Sequence, residues 1–261
     1  MPTTLITGAS SGIGLQLAKR FAREGNDVIL VARSESKLQS LASELIETYD
    51  IQATVLRHDL TAPDAPRKIF DQVQQNNLVV DTLINNAGYG DYGEFASSEW
   101  AMQQGMLSLN MVALTQLTHL FLPGMLQRGS GKILNVASTA AFQPGPMMAV
   151  YFASKAYVLS FSEAIAAETE GTGVTVTVLC PGPTQTNFAD NASMDQIALM
   201  ENVSADSFPT AAEVAEYGYR SLQKGQVVAV HGTLNKLLTF SNRLTPRAVI
   251  RKGLKRFMAA K

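Results

Sequence analysis

Three polar residues in the middle of the chain have the types and the spacing of a proton-transfer site. Tyr151 and Lys155 lie four residues apart, so they share one face of a helix, and Ser138 lies thirteen residues before the tyrosine. A tyrosine hydroxyl has an ordinary pKa of about 10, and a neighbouring ammonium group favours the phenolate. The pattern therefore predicts that Tyr151, with a lowered pKa, exchanges a proton with a substrate oxygen that Ser138 holds.

A glycine-rich turn near the beginning of the chain predicts a dinucleotide site. The pattern is G-x-x-x-G-x-G, between an apolar run at Thr3–Thr7 and an amphipathic helix. Glycine permits a sharp turn and the close approach of a pyrophosphate, to which the helix N-terminus offers unpaired N–H groups. A tight turn without a ligand is the alternative, but the position between strand and helix favours the binding site. The cofactor contacts predicted in this turn are Gly8, Ser10, Ser11, Gly12, Ile13 and Gly14.

The end of the second apolar run predicts which dinucleotide binds. Proteins that prefer NAD usually carry Asp or Glu at this point to bond the ribose hydroxyls. This chain has Ala32 followed by Arg33 and Ser34. A guanidinium group makes a forked, charge-assisted contact with a 2′-phosphate, and a serine hydroxyl can add to it. We therefore expect NADP(H); the alternative is that Arg33 is only a solvated charge near the next helix.

Two further strand ends supply polar or small residues. Asp59 and Leu60 follow the third run, where an adenine would lie. The aspartate can accept a bond from the exocyclic amine and the leucine can pack on the ring, whereas a helix-start acid is the alternative. Asn86, Ala87 and Gly88 follow the fourth run. Small residues at that point let a cofactor pass close to the backbone.

Asn110 is a polar residue among apolar neighbours in a long predicted helix. A buried amide is costly unless it is hydrogen-bonded. The residue is therefore either part of the site or the holder of a structural helix kink, and the two roles are compatible.

The order of apolar runs and helical stretches predicts the fold. The runs are short, rich in Val, Ile and Leu and mostly not alternating, as strands covered on both faces are. Helical stretches separate them, which predicts a doubly wound parallel α/β sheet of about seven strands. We expect one domain over residues 1–232, including a substrate-loop segment 185–208, and a basic C-terminal extension over 233–261 that can form a helix. The predicted strands are Thr3–Thr7, Asp27–Ala32, Ala53–His58, Val79–Asn85, Lys132–Ala137, Val174–Leu179 and Gln226–Val230.

Composition narrows the class of protein further. Hydrophobic residues make up 46% of the chain and charged residues 16%, which is typical of a globular domain. The first predicted strand begins by Thr4, so we expect no signal peptide, and the apolar runs are too short to predict a transmembrane helix. Cys180 is the only cysteine, which favours a reducing cytoplasm. The histidines His58, His119 and His231 are scattered, so no metal site is expected.

Taken together, the motifs resemble those of the short-chain dehydrogenase/reductases over about residues 2–230. The resemblance implies a compact Rossmann-type enzyme that interconverts a carbonyl and an alcohol with NADP(H). It implies a catalytic tetrad of Asn110, Ser138, Tyr151 and Lys155, in which the asparagine holds a relay water and the lysine also bonds the nicotinamide ribose. It adds cofactor contacts in a Pro-Gly loop, and it implies homodimers or homotetramers that pack through the helices containing Asn110 and Tyr151. The loop contacts are Pro181, Gly182, Thr184 and Thr186.

Apolar residues near the predicted reaction centre indicate the kind of substrate. We expect Phe142, Met148 and Phe188 to line a pocket beside Ser138 and Tyr151, which suits an apolar molecule with one carbonyl group. Ordinary loop packing is the alternative.

The last 45 residues hold 10 of the 21 Lys and Arg residues and no acidic residue. A helix is predicted from Thr245-Pro246, with Ile250, Leu254, Phe257 and Met258 on one face. That face could lie on an anionic membrane or pack against the domain or a second subunit. Because the rest of the chain is acidic, no nucleic-acid partner is expected. Two further hypotheses are an NADP(H) redox sensor, against which the complete tetrad argues, and a membrane or partner-binding module that acts through the tail.

Overall fold

The computed structural model describes residues 1–188, 192 and 207–258, and its strands form one parallel sheet. The strands are β1 Thr3–Thr7, β2 Asp27–Ala32, β3 Ala53–Arg57, β4 Thr82–Asn85, β5 Gly131–Val136, β6 Val174–Cys180 and β7 Val228–Val230. Their order in the sheet is β3-β2-β1-β4-β5-β6-β7, and each neighbouring pair is parallel. The predicted doubly wound sheet of about seven strands is confirmed.

Helices cover both faces of this sheet. They are α1 Gly12–Arg23, α2 Glu35–Tyr49, α3 Ala65–Gln75, α4 Trp100–Leu107, α5 Leu114–Arg128, α6 Ala149–Glu168, α7 Ala211–Gln223, α8 Thr233–Leu244 and α9 Arg247–Phe257. Successive residues of a strand point to opposite faces, so Ile6 packs with α1, α2 and α7 while Leu5 packs with α3 and α5. The strands are therefore apolar on both sides, which is why their sequence does not alternate.

Two elements differ from the predicted ones. The long helix predicted over Ser98–Gln127 is interrupted by a π-helical segment at Ser108–Ala113, which joins α4 to α5. Helix α8 lies within the C-terminal extension expected over 233–261, but no separate helix with these bounds was predicted, because its inward-facing residues are polar. The predicted C-terminal helix is present as α9, and Pro246 lies at its N-cap.

The segment Trp100–Arg128 is long and apolar enough to cross a membrane by length and composition alone. Within it, however, Asn110 is only 1% exposed, and α5 packs against β4 and β5. We therefore interpret the segment as a helix of the domain.

The neighbours β1 and β4 are the point at which the strand order reverses, and Thr7 joins their ends. Its hydroxyl donates to the carbonyl of Ile84 at 3.2 Å and accepts from the backbone N–H groups of Asn86 at 2.9 Å and Ala87 at 3.0 Å. In return, the side-chain amide of Asn86 donates to the carbonyl of Thr7 at 2.9 Å. The donor and both acceptor positions of one buried hydroxyl are thus occupied.

This arrangement predicts opposite effects for one substitution at two buried threonines. Thr7→Val should lower the free energy of unfolding by about 1–3 kcal/mol, because it leaves buried backbone groups without a partner. Thr177→Val should leave that free energy unchanged or raise it, because the Thr177 hydroxyl is buried with no hydrogen-bond partner among the described residues. Denaturant unfolding of both variants checks the pair. Equal losses of stability would contradict the role of Thr7.

Candidate functional site

The predicted site segments all follow carboxyl ends of strands, which parallel pairing brings to one edge of the sheet. In open α/β sheets this edge, at the point where the strand order reverses, is where ligands bind. The glycine turn follows β1, Asn86–Gly88 follows β4, and Ser138 follows β5. Arg33, Asp59 and Pro181 follow β2, β3 and β6.

The glycine turn after β1 leaves little room for side chains at its glycine positions. Gly8 and Gly12 have φ angles of +67° and +55°, in the left-handed region that favours glycine. A Cβ atom on Gly14 would lie 2.4 Å from the carbonyl oxygen of Gly8 and 2.4 Å from the Asn86 amide nitrogen. Ser11 is the N-cap of α1 but makes no side-chain capping bond, so the first N–H groups of the helix remain for a ligand. The turn therefore fits a pyrophosphate.

A groove of about 640 Å³ adjoins this turn. Its walls include Ser11 and Gly12 on one side, Ser36 and Lys37 of α2 on another, and Thr186 of the loop after β6. The Thr186 methyl group would lie 3.2 Å from a Cβ on Gly12, so that loop closes over the glycine turn. The lining offers several hydroxyl groups, the ammonium group of Lys37 and the carboxylate of Glu44.

The ends of β2 and β3 place one cation and one anion near each other. Arg33 is exposed, and Asp59 accepts two bonds from Thr61, from its backbone N–H at 3.0 Å and from its hydroxyl at 2.8 Å. The backbone bond, the hydroxyl and the charge of Arg33 lower the pKa of Asp59. Asp59 thus stabilises a turn at Thr61 and is not the helix-start acid of the alternative interpretation, since α3 begins at Ala65 with Asp64 as its N-cap. Leu60 is buried in the core beside β2 and β3, and the adenine contacts of both residues stay predictions.

The first turns of α6 carry the predicted proton-transfer pair. The helix begins at Ala149, so Tyr151 and Lys155 lie on one side of its N-terminal part, 8% and 5% exposed. Ser138 caps the short 3₁₀ turn after β5, where its side chain accepts from the backbone N–H of Ala140 at 3.1 Å, and it hydrogen-bonds Tyr151. The structure therefore brings Ser138, Tyr151 and Lys155 together, as the sequence predicted.

Burial controls how Tyr151 titrates. It raises the pKa of Tyr151 to about 12, and the hydrogen bond with Ser138 only partly opposes that effect. The lowered pKa expected from Lys155 is therefore not what the protein alone produces. The ammonium nitrogen lies 5.8 Å from the centre of the tyrosine ring and is hydrogen-bonded elsewhere. Tyr151 is consequently protonated at neutral pH and can donate a proton.

Lys155 is held in a pocket of backbone groups. Its Nζ donates to the carbonyl of Val136 at 2.9 Å, and it would lie 3.3 Å from a Cβ atom on Gly88. Burial lowers the pKa of Lys155 to about 8. The lysine is thus charged at neutral pH and loses its proton within the mildly alkaline range.

Asn110 links two segments of the site by hydrogen bonds. It lies in the π-helical segment, 1% exposed, and its amide donates to the carbonyl of Tyr89 at 3.0 Å and to the hydroxyl of Ser154 at 3.0 Å. Its oxygen accepts from the N–H of Tyr89 at 3.2 Å. The Ser154 hydroxyl in turn donates to the carbonyl of Tyr151 at 2.7 Å. Asn110 therefore ties the segment after β4 to α6, and the relay water implied for it stays a prediction.

Three of the predicted substrate contacts converge on Gly90. A Cβ atom there would lie 3.0 Å from Phe188, 3.1 Å from Met148 and 3.3 Å from Tyr151. The rings of Tyr151 and Phe188 have centres 5.3 Å apart. Phe142 does not join them; it packs in a separate cluster with Val158, Cys180 and Val230. Most of the predicted substrate loop, residues 189–191 and 193–206, lies outside the described residues.

The structure places Met258 in the wall of this pocket, a contact that sequence reasoning missed. Tyr92 donates its hydroxyl hydrogen to the carbonyl of Met258 at 2.7 Å, and both residues are buried beside Met148 and Tyr151. The C-terminal end of α9 thus lies against the substrate side of the site. The apolar stripe of α9 gave a signal, since Met258 is its last member, but it did not reveal which surface the stripe would cover.

The loop after β6 is the remaining predicted cofactor segment. The carbonyl of Pro181 accepts from the Thr139 N–H at 2.8 Å, and the Thr184 hydroxyl donates to the carbonyl of Gly182 at 2.9 Å. Thr186 accepts from the N–H of Phe188 at 3.2 Å. These bonds hold the loop between the glycine turn and the pocket, where the nicotinamide of a dinucleotide would lie.

Other reactive groups at this edge are few within the described residues. They contain no cluster of three His, Cys, Asp or Glu residues that could hold a metal ion. Cys180 is buried close to Lys155, and burial raises the pKa of its thiol to about 12, so it stays protonated. The chemistry that the arrangement supports is proton exchange at Tyr151 beside a dinucleotide-binding turn.

Comparisons with known proteins agree with this geometry. The family model for short chain dehydrogenases matches residues 2–197. Ketoacyl reductase HetN from a Nostoc species is 37% identical over 180 residues, which cover 69% of this chain and 62% of HetN, less than two thirds of its length. A 7beta-hydroxysteroid dehydrogenase from Mediterraneibacter gnavus is 33% identical over 182 residues, 70% of this chain and 68% of the relative.

A solved structure extends the agreement to nearly the whole fold. The short-chain dehydrogenase from Sphingobium yanoikuyae, in complex with NADPH, has a TM-score of 0.81, 30% identity and 94% coverage of both chains. With the fold, the site geometry and the family model in agreement, this protein belongs to the short-chain dehydrogenase/reductase family of oxidoreductases.

Proposed function

We propose that this protein is an NADP(H)-dependent oxidoreductase that interconverts an apolar ketone or aldehyde and the corresponding alcohol. The observation that carries the proposal is the convergence of Ser138, Tyr151 and Lys155 beside the glycine turn at one edge of the sheet. A redox sensor would have no need of a buried tyrosine that can donate a proton.

The chain's own residues perform the proton half of the reaction. When bound, the nicotinamide supplies or accepts the hydride. In reduction, the hydroxyls of Ser138 and Tyr151 bond the carbonyl oxygen, and Tyr151 gives it a proton. Its raised pKa keeps that proton in place until the oxygen becomes more basic. Lys155 would bond the ribose of a bound nicotinamide nucleotide, and Asn110 keeps α6 in position through Ser154.

Preference for NADP(H) is supported by the groups at the end of β2. Arg33 is exposed and follows Ala32, so the position at which proteins that prefer NAD carry Asp or Glu holds a small apolar residue. Ser34 is half-buried next to it. The similar structure from Sphingobium yanoikuyae contains NADPH.

An apolar substrate is supported by the pocket walls. Met148, Phe188 and Tyr92 surround Tyr151, and Met258 closes one side. The sequence has no Lys or Arg between Lys155 and Arg220, so this part of the chain offers no charge to an anionic substrate. The two curated relatives are named for reactions of ketoacyl and hydroxysteroid compounds, both of which are largely apolar.

Assembly and location complete the proposal. Exposed apolar residues on α4, the π segment and α5 support a homodimer or homotetramer that packs through these helices; they are Trp100, Met102, Val112 and Leu126. A single buried cysteine, Cys180, supports a cytoplasmic location.

The first experiment follows NADPH absorbance with a panel of bulky apolar ketones, small ketones, aldehydes and a small anionic aldehyde. Turnover of the bulky apolar compounds supports the proposal. Tight NADPH binding without turnover of any carbonyl compound would favour the redox sensor instead.

Removal of the Tyr151 hydroxyl distinguishes an effect on the reaction from an effect on NADPH binding. Tyr151→Phe should lower kcat for carbonyl reduction by about 10²–10⁴-fold and leave NADPH affinity nearly unchanged, because only the proton donor is lost. Tyr157→Phe is the matched control, since Tyr157 lies on the same helix and bonds Thr115 instead of the site. Steady-state kinetics with the best ketone of the panel checks both. A Tyr151→Phe variant that keeps wild-type kcat would remove Tyr151 from the reaction.

The phosphate contact can be tested with two cofactors. Arg33→Ala should weaken NADPH binding by about 10–100-fold and NADH binding by much less, because a charge-assisted contact is worth about 1.5–3 kcal/mol. Arg23→Ala, at the far end of α1, is the control that removes an equal charge. Fluorescence titration gives both dissociation constants. An equal loss for NADPH and NADH would take Arg33 out of the phosphate site.

The pKa of Lys155 predicts an upper pH limit for kcat/KM with NADPH. The group is charged below about 8 and neutral above it, so kcat/KM for NADPH, which reports groups of the free enzyme, should fall as pH rises through about 8. A guanidinium does not titrate in this range, so Lys155→Arg should give a low but level profile. A wild-type profile that stays level well above pH 8 contradicts the assignment.

A further inference from the structure

Helix α8 turns its polar side towards the domain. Thr239 is 7% exposed, and the amide of Asn235 donates to the carbonyl of His231 at 2.8 Å. Asn242 donates to the side-chain oxygen of Gln143 at 3.1 Å. These positions, 235, 239 and 242, share one face of a helix, and that face is the one that packs.

The opposite side of α8 is apolar and exposed. Leu237 and Leu244 are 64% and 76% exposed, with Leu234 at 67% and Phe240 at 57%, and Leu238 beside them is 52% exposed. These five residues form the α8 outer face. In a water-soluble domain an amphipathic helix has the reverse orientation. A contiguous exposed apolar surface of this kind marks an interaction site.

Exposed cations lie on the same helix and on the next. Lys236 and Arg243 of α8 are exposed, and so are the basic residues of α9, which are Arg247, Arg251, Lys252, Lys255 and Arg256. Met258, directly after α9, is buried, whereas Phe257 of the predicted apolar stripe is 43% exposed. The sequence has no acidic residue after Glu216. The C-terminal part of the chain is therefore apolar on one helix face and cationic around it.

From these observations we propose that the α8 outer face docks on the surface of an anionic phospholipid bilayer. The leucines and Phe240 enter the boundary between headgroups and acyl chains, and Lys236, Arg243 and the cations of α9 bond the phosphates. A helix that lies in the membrane plane has this combination of an apolar face with Lys and Arg at its border.

Charge decides between a bilayer and a second copy of the chain. A two-fold contact through the α8 outer face would place Lys236 and Arg243 of each copy near those of the other, and like charges across an interface are unfavourable. A head-to-tail contact with the acidic part of another copy would not close into a symmetric assembly. An anionic bilayer complements both the apolar and the cationic groups.

Docking would place the substrate pocket near the lipid. Asn235 lies against Gly182 in the loop after β6, and Asn242 bonds Gln143 just after the Ser138 turn. An apolar carbonyl compound dissolved in the bilayer could thus reach the pocket over a short path. That consequence rests on the proposed function, whereas binding to lipid does not.

Vesicle co-sedimentation of the full-length protein tests the docking. We expect binding to vesicles of phosphatidylglycerol and phosphatidylcholine, weak binding to pure phosphatidylcholine, and loss of binding in high salt. Leu237→Asp should weaken binding about tenfold or more. Val79→Asp, which adds the same charge at an exposed valine on the opposite edge of the sheet, should bind like the wild type after allowance for one charge. Lys236→Gln and Arg243→Gln should each weaken binding about fivefold.

Sedimentation velocity and NADPH binding by each variant complete the experiment. Unchanged NADPH affinity shows that a variant is folded. Equal binding to neutral and anionic vesicles overturns the cationic half of the proposal, and no binding to either overturns the whole. Concentration-dependent association without lipid, abolished by Leu237→Asp but not by Val79→Asp, would instead identify the α8 outer face as a subunit interface.

Discussion

The hydrogen bonds between Thr7 and Asn86 are the interaction on which the site depends. It joins the ends of the two strands at which the sheet order reverses, and it fixes the glycine turn and the Asn86–Gly88 segment in the same few bonds. Since all neighbouring strands run parallel, every other site segment reaches this edge as well. A ligand that touches the glycine turn must therefore also face the residues after β4, β5 and β6.

Desolvation sets the chemistry at that edge. Tyr151 and Lys155 are almost completely buried, and burial moves their pKa values in opposite directions, to about 12 and about 8. Neutral pH lies below both pKa values, so the hydroxyl keeps its proton and the lysine keeps its charge. Asn110, which ties the segment after β4 to the helix of this pair, lies in a π-helical segment and bonds both Tyr89 and Ser154. A bulge in a helix is often found where function requires it.

The C-terminal helices lie beside the substrate pocket and also form an exposed surface. Helix α9 ends in the substrate wall through Met258, and α8 lies between the loop after β6 and the solvent with its apolar side outward. The same short segment thus contributes to the pocket and to an exposed surface. The two roles are coupled through geometry, because the polar side of α8 is the side used to contact the domain.

The sequence by itself determined the elements and the order in which they occur. Short apolar runs without alternation predicted buried parallel strands, and the glycine pattern predicted the turn. The spacing of Tyr151 and Lys155 predicted that they share one helix face. Each of these features is set by local steric rules and residue periodicity. Only the tertiary structure decided the rest. It placed Phe142 away from the pocket and Met258 against it, and it supplied the hydrogen-bond partners of the Asn110 amide. It also packed the polar face of α8 against the domain and left the apolar face exposed. Burial and hydrogen-bond partners depend on residues distant in the chain, as the raised pKa of Tyr151 does, and no local pattern encodes them.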